Sequence, residues 1–226
     1  MDDIWTPVKL NVIADHMTPD SVTTAAEDQR DAYHHGDLRR ALLDAMRDVV
    51  ERDGIEAVSL RGLARTVGVA PSAAFRHFRD KRALVTTFSY EALGDMIALA
   101  ERMQADQPDA AGRFEAIGRA YIRFASEQPH RFRAMNRREL VDTDDPVWRA
   151  MGERMDALVF ETLQGVDAAA DEGTQAARGL LAWAAVHGLV TLALDGWVED
   201  ADPEDPLSSP QVADAFALLA GLVTPR

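Results

Sequence analysis

The sequence predicts an all-α protein: a small N-terminal three-helix, helix-turn-helix head followed by a larger helical body. Three observations lead there. Apolar residues recur at helical spacing from Asp37 onward. No run of alternating β-branched residues is bracketed by turn dipeptides. Breaks marked by Gly or Pro cut the chain into helix-sized lengths. With 226 residues, 47% of them hydrophobic, the chain has material for a sizeable core. The expected division is a flexible acidic extension over 1–32, a head over 33–82 and a body over 83–226.

The elements follow in order. Asp37 is placed as the N-cap of a first helix carrying Leu38, Ala41, Leu42, Ala45, Met46, Val49 and Val50 on one face, with Gly54 as its stop. Ser59 caps a short helix, Leu60 to Val67, closed by Gly68. Pro71 opens another short helix to His77, where its missing N–H costs nothing. Asp80 caps a long helix to about Gln104, lined by Leu84, Val85, Phe88, Ala92, Met96, Ala100 and Met103. Helices are then expected near 110–127, 130–138, 145–164, 173–198 and 209–223.

Charge is unevenly spread. The net charge is −14, yet residues 37–82 carry 10 basic and 7 acidic side chains, and within 59–82 the ratio is 6 to 1. Charges beyond about 8 Å are largely screened at physiological salt, so a local basic island attracts phosphates whatever the net charge. The island coincides with the two short helices. Ala64 permits their close crossing, Gly68 a turn with positive φ, and Val69 a plug between them, with Leu63, Val67 and Ala74 completing a small core. The second helix turns Ser72, Ala73, Phe75 and Arg76 outward, flanked by Arg61, Arg65, Arg79, Lys81 and Arg82. Small and polar groups toward base edges with cations toward phosphates make a DNA-reading helix.

The same residues carry a resemblance. Tyr33-His34-His35-Gly36-Asp37-Leu38 and Gly68-Val69-Ala70-Pro71-Ser72-Ala73-Ala74-Phe75-Arg76-His77-Phe78-Arg79-Asp80-Lys81 resemble the DNA-binding domain of the TetR family of transcriptional regulators. Trp183-Ala184-Ala185-Val186-His187-Gly188 resembles the Trp-x-x-x-His-Gly motif of one C-terminal subclass of that family. The resemblance implies DNA contacts by Arg61, Pro71, Ser72, Ala73, Phe75, Arg76, His77 and Lys81, with Ser72 and Ala73 in the major groove, Phe75, His77 and Lys81 near phosphates, and Arg76 at a base edge or the backbone. Two positions depart from the pattern: Ala70 stands where Ser or Thr is usual, removing a cap, and Phe75 replaces a common Tyr, removing a hydroxyl.

In the body, Gly179–Leu194 is apolar almost all round, so it must be covered on several faces. With the helix near 209–223 it suits a homodimer interface of four helices, two per subunit, which the resemblance also implies. Two-fold symmetry predicts a palindromic double-stranded DNA operator with half-sites about 34–36 Å apart. Phe114, Tyr121, Phe124, Met135, Trp148, Met151, Met155, Trp183 and His187 are the candidate lining of a pocket for a small apolar or aromatic effector. The expected mechanism is a repressor whose effector tilts the long helix beginning at 80 and spoils the spacing of the two heads; an activator would use the same parts.

Other chemistry finds no candidates. There is no Cys, no Gly-rich phosphate loop, no Ser-centred elbow and no His-Glu-x-x-His motif, so neither a catalytic residue nor a cofactor is expected. His34-His35 lacks spaced partners for a metal. The start, Met1-Asp2-Asp3-Ile4, is acidic with no apolar core, and Gly179–Leu194 falls short of the roughly 20 residues that span a bilayer. A cytoplasmic protein without a membrane partner is therefore expected. The rival expectation, a helical scaffold without DNA affinity, rests on the acidic balance and the two departures.

Overall fold

The computed structural model describes residues 25–199, 201–202 and 204–223, with side chains over 38–199, 201–202 and 204–221. The chain divides into two compact units, residues 1–37 and 38–226. Most of the extension expected over 1–32, and the side chains of Tyr33 through Asp37, lie outside the described residues. Among the described residues there are nine α-helices and no strand. They are α1 (Ala25–Asp53), α2 (Leu60–Val67), α3 (Pro71–His77), α4 (Lys81–Ala105), α5 (Ala110–Glu127), α6 (Pro129–Met135), α7 (Pro146–Val166), α8 (Glu172–Leu194) and α9 (Pro210–Val223).

Side-chain caps set most starts. Ser59 accepts from the Gly62 N–H (3.1 Å), Asp80 from Ala83 (2.7 Å), Asp109 from Gly112 (2.7 Å) and Asp171 from Thr174 (2.9 Å). One expected cap fails: α1 begins at Ala25, so Asp37 lies inside the helix. The motif at 37 reads as a start only because the weakly periodic residues before it hide a helix with no apolar face to read.

Two helix ends follow one geometry. At Gly68 (φ 79°) the Val69 N–H reaches the Ala64 carbonyl (2.9 Å) and the Gly68 N–H the Arg65 carbonyl (3.2 Å). At Gly196 (φ 78°) Trp197 bonds Leu192 (2.9 Å) and Gly196 bonds Ala193 (3.1 Å). Both are Schellman closures, in which glycine takes the left-handed position that a Cβ disfavours. The second stops α8 at Leu194, four residues before the expected end. The helix expected over 130–138 also ends early, at Met135, and a 3₁₀ turn at Arg138–Leu140 follows.

Unit 38–226 holds three apolar clusters. The first gathers Leu42, Met46 and Val50 of α1, Leu63 and Ala64 of α2, Ala74 of α3 with Phe78 just after it, and Leu84, Val85 and Phe88 of α4. Ala134 and Val141, from the body, are buried in the same cluster, and Trp148 packs against it. The boundary expected at 82/83 therefore falls at the start of a continuous α4, over a core fed from both sides. The second cluster joins Ala92, Met96, Tyr121, Phe124, Phe132, Met135, Val186, Val190, Leu207 and Val212. The third centres on Phe114 and Leu163.

In one copy of the chain, α8 is covered on one side only. Val186, Val190 and Ala193 are buried, while Leu180, Leu181 and Leu192 are more than half exposed, as is Leu218 on α9. By length and composition, α8 is the one helix among the described residues able to cross a membrane: 23 residues, mean hydropathy 1.5, with 17% of its apolar window buried. The stretch counted from sequence as too short thus sits in a longer apolar helix.

Candidate nucleic-acid interface and effector site

The α2–α3 unit is built as the spacing dictates. Ala64 and Ala74 are fully buried where the helices cross, and the Schellman turn at Gly68 seats Val69 between them. Pro71 occupies the first turn of α3; Ala70, its N-cap, makes no side-chain bond, as the departure at that position implies. With Ala74 and Phe78 inward, α3 turns Pro71, Ser72, Phe75 and Arg76 to solvent, Phe75 at 41% exposure. Ala73 is half-buried at the edge of this stripe. Arg61 and Arg65 of α2 and Arg76 of α3 are exposed and make no ion pair among the described residues.

The remaining expected cations are bonded to other parts of the protein. The Lys81 ammonium donates to the Glu56 carbonyl (3.2 Å), leaving two of its protons for other acceptors. Arg79 pairs with Asp142 (3.0 Å) and with Asp80 (3.4 Å), and Arg82 donates through Nε and Nη2 to the Val141 carbonyl (3.2 and 2.9 Å). His77 is half-buried, and its carbonyl accepts from Arg39 (3.5 Å). Arg39 is a brace that sequence reasoning missed: it lies over the Phe78 ring (4.6 Å) and donates to the Thr87 and Tyr90 hydroxyls (both 3.2 Å), locking α1 to the end of α3 and to α4.

The expected effector residues do not gather in one place. Tyr121, Phe124, Met135 and Met155 belong to the second cluster, Phe114 to the third, and Trp148 packs against the first. Met151 lies beside Gly94, its sulfur 3.8 Å from where a Cβ there would stand. What the structure does bring together is a ring cluster. Tyr121 Oη and His187 Nδ1 are 2.7 Å apart; Phe132 meets Tyr121 edge-on at 5.2 Å; and Trp183 lies 5.8 Å from the imidazole at 34°. Burial pushes the Tyr121 hydroxyl well above the ordinary phenol range, so it stays protonated, and desolvation pulls His187 below its usual value, which favours the neutral ring. Trp183 is 54% exposed, linking this polar centre to the outer face of α8.

Neither of the two leading cavities is lined by these residues. One, of about 380 Å³, lies at the end of α8 among Ala193, Asp195, Val198 and Pro206. The other, of about 220 Å³, lies between Val50, Ile55 and Glu56 on one side and His130, Arg133 and Arg137 on the other. Sequence reasoning also missed Arg131, 4% exposed on α6, which pairs with Asp95 (2.7 Å) and sits 5.8 Å from both the Phe88 and Phe124 rings. No group of three or more His, Cys, Asp or Glu able to hold a metal occurs among the described residues.

The fold and the head–body arrangement define a helix-turn-helix regulator, and comparison with known proteins specifies the family. Residues 42–87 match the bacterial regulatory proteins of the tetR family, and residues 114–215 match a tetracyclin repressor-like C-terminal domain. An uncharacterised HTH-type transcriptional regulator of Mycobacterium tuberculosis is 24% identical over 166 residues, 74% of each chain. A solved protein of unknown function from Rhodococcus sp. RHA1 superimposes with a TM-score of 0.70 at 29% identity, over 85% of this chain and 98% of that one. The TetR family regulator PfmR from Thermus thermophilus shares the fold, with a TM-score of 0.58 at 19% identity over 81% and 96% of the two chains. The chain belongs to the TetR family and is a DNA-binding transcriptional regulator, not an enzyme. Repression, dimer formation and ligand binding are typical of that family.

Proposed function

We propose that the chain is a cytoplasmic homodimeric repressor of the Trp-x-x-x-His-Gly subclass, released from a palindromic operator by a small apolar or aromatic effector. The observation that carries this is the outward stripe of α3, bordered by the unpaired cations Arg61, Arg65 and Arg76 on a protein that is otherwise acidic. Ser72 and Ala73 face base edges, Phe75 and Lys81 approach phosphates, and Arg76 reads a guanine or grips the backbone beside them. His77, half-buried, contributes through its position at the end of α3.

The outer face of α8 and α9 is the dimer surface. Leu180, Leu181, Leu192 and Leu218 are too many large apolar groups to leave in water, and a two-fold axis lets one patch cover itself. The effector enters beside Tyr121, Phe132, Trp183 and His187, where aromatic faces surround one hydrogen-bonding pair. Its arrival moves α4, which begins just after the recognition helix and runs without a break into the body, and changes the spacing of the two heads.

The test is binding of the purified protein to genomic fragments, including DNA upstream of its own gene, across a salt series. Tight binding that weakens with salt and protects a palindrome is the expected result. Absence of binding at low salt would leave a helical scaffold as the better description.

A further inference from the structure

Ala134 and Trp148 pack on the head, but beyond α4 the hydrogen bonds and ion pairs that tie the body to it, among the described residues, come from one short segment, 137–142. Arg137 pairs with Glu56 (2.8 Å), whose carbonyl in turn receives the Lys81 ammonium (3.2 Å). The Val141 carbonyl takes two bonds from Arg82, while the Val141 side chain is fully buried in the head's own cluster. Asp142 closes the arrangement twice: its N–H donates to the Thr86 hydroxyl (2.8 Å), and its carboxylate pairs with Arg79 (3.0 Å). The Thr86 hydroxyl donates onward to the Arg82 carbonyl (2.8 Å), so it is fixed from both sides.

From this geometry we propose that residues 137–142 form the seat that sets the angle of the recognition helix. Asp142 is a positioning residue, and Arg79 is its tie to the body rather than a phosphate contact. The segment follows α6, which packs on α4 and carries Phe132 and Met135 of the second cluster, so a rearrangement there has a direct route to α3. Arg79, its side chain 70% exposed, is ion-paired with Asp142 and with Asp80 (3.4 Å), and on this proposal those pairs keep it from serving as one of the six cations between 59 and 82 that grip DNA. The inference rests on α3 being the DNA-contacting helix.

The two roles of Arg79 predict opposite signs for one substitution. If Arg79 touched phosphate, Asp142→Ala would free it and remove a repelling charge, so DNA binding would tighten. If the pair positions the head, Asp142→Ala weakens binding without changing the number of phosphates neutralised. The probe is a duplex recovered by the wild-type protein from a random-sequence library, titrated by fluorescence anisotropy from roughly 50 to 300 mM KCl. Asp142→Ala and Arg79→Ala should each weaken binding about fivefold with an unchanged salt slope, and the double variant should be no weaker than either. Asp142→Glu should recover most of the loss, and isosteric Asp142→Asn should behave as Asp142→Ala if the alanine variant fails to fold. Tighter binding by Asp142→Ala or Asp142→Asn, or a slope reduced by about 2 per dimer in Arg79→Ala, overturns the proposal alone. A wild-type protein that recovers no duplex overturns it together with the assignment of α3.

Discussion

Gly118 and Gly152 offer a comparison in which one chemical change should act in opposite directions. A Cβ built on Gly118 of α5 would lie 2.5 Å from Cε2 and 2.7 Å from Cζ of Phe216 on α9. A Cβ on Gly152 of α7 meets nothing within 4 Å. Alanine in place of a mid-helix glycine gains about 1 kcal/mol of helix propensity at either site. At Gly118 it also forces the Phe216 ring away, and that ring is partly buried against the second cluster, so it must repack there or move with α9. Overpacking of this kind costs about 2 kcal/mol. The net is a loss of about 1 kcal/mol for Gly118→Ala against a gain of about 1 for Gly152→Ala, or melting temperatures roughly 3 °C lower and 3 °C higher. Both are read by thermal unfolding at one fixed protein concentration, because a dimer's apparent stability depends on it. Adding Phe216→Leu should remove the penalty of Gly118→Ala. Equal upward shifts for the two alanine variants would refute the argument that α9 is seated on α5 through this glycine.

Two further perturbations address the dimer face and the ring cluster. Leu181→Lys should leave the isolated fold intact, because that side chain is already 60% exposed, yet raise the dimer dissociation constant more than about 100-fold as two symmetry-related leucines lose their cover; sedimentation showing an unchanged dimer would move the interface elsewhere. His187 has a depressed pKa, so the folded protein favours the neutral ring more than the unfolded chain does. Its contribution to stability is therefore fully present above the unfolded value of 6.5 and is lost as pH falls through the lower folded value. Wild type should lose more thermal stability than His187→Asn on acidification below pH 6.5, and parallel curves would refute that.

The head was legible because local chemistry dictates it. Ser59, Gly68, Pro71 and Asp80 each perform the capping or turn role that their residue type suggests, and Ala64 and Ala74 are small where two helices touch. The body was legible as helices but not as a site. Aromatic and Met residues at helical spacing do not reveal which neighbour they meet: Trp148 fits the pattern of an effector lining yet packs on the head, and Phe114 belongs to a separate cluster. Arg131 was illegible for the opposite reason. It sits in a seven-residue helix, too short to show a face, and its burial depends on Asp95 and two phenylalanines from α4 and α5. The stop of α8 at Gly196 is obscured in the sequence because apolar Trp197 and Val198 resume just after Asp195-Gly196.

Charge shows how far counting residues falls short of counting contacts. Six cations between 59 and 82, doubled in a dimer, would give a slope of log K against log salt near −11, at about 0.9 per neutralised phosphate. The structure gives two of the six other partners, since Arg79 is ion-paired with Asp142 and Asp80 and Arg82 is turned onto the Val141 carbonyl. Arg61, Arg65, Arg76 and the two free protons of Lys81 remain on each head. Four contacts per head, eight per dimer, lower the expected slope to about −7. A measured slope near −11 would mean that Arg79 and Arg82 leave the body when DNA arrives, and the seat at 137–142 would then hold the head only in the unbound protein. A slope near −7 means that the same cations hold the body in both states, so that whatever moves residues 137–142 also moves the helix that reads DNA.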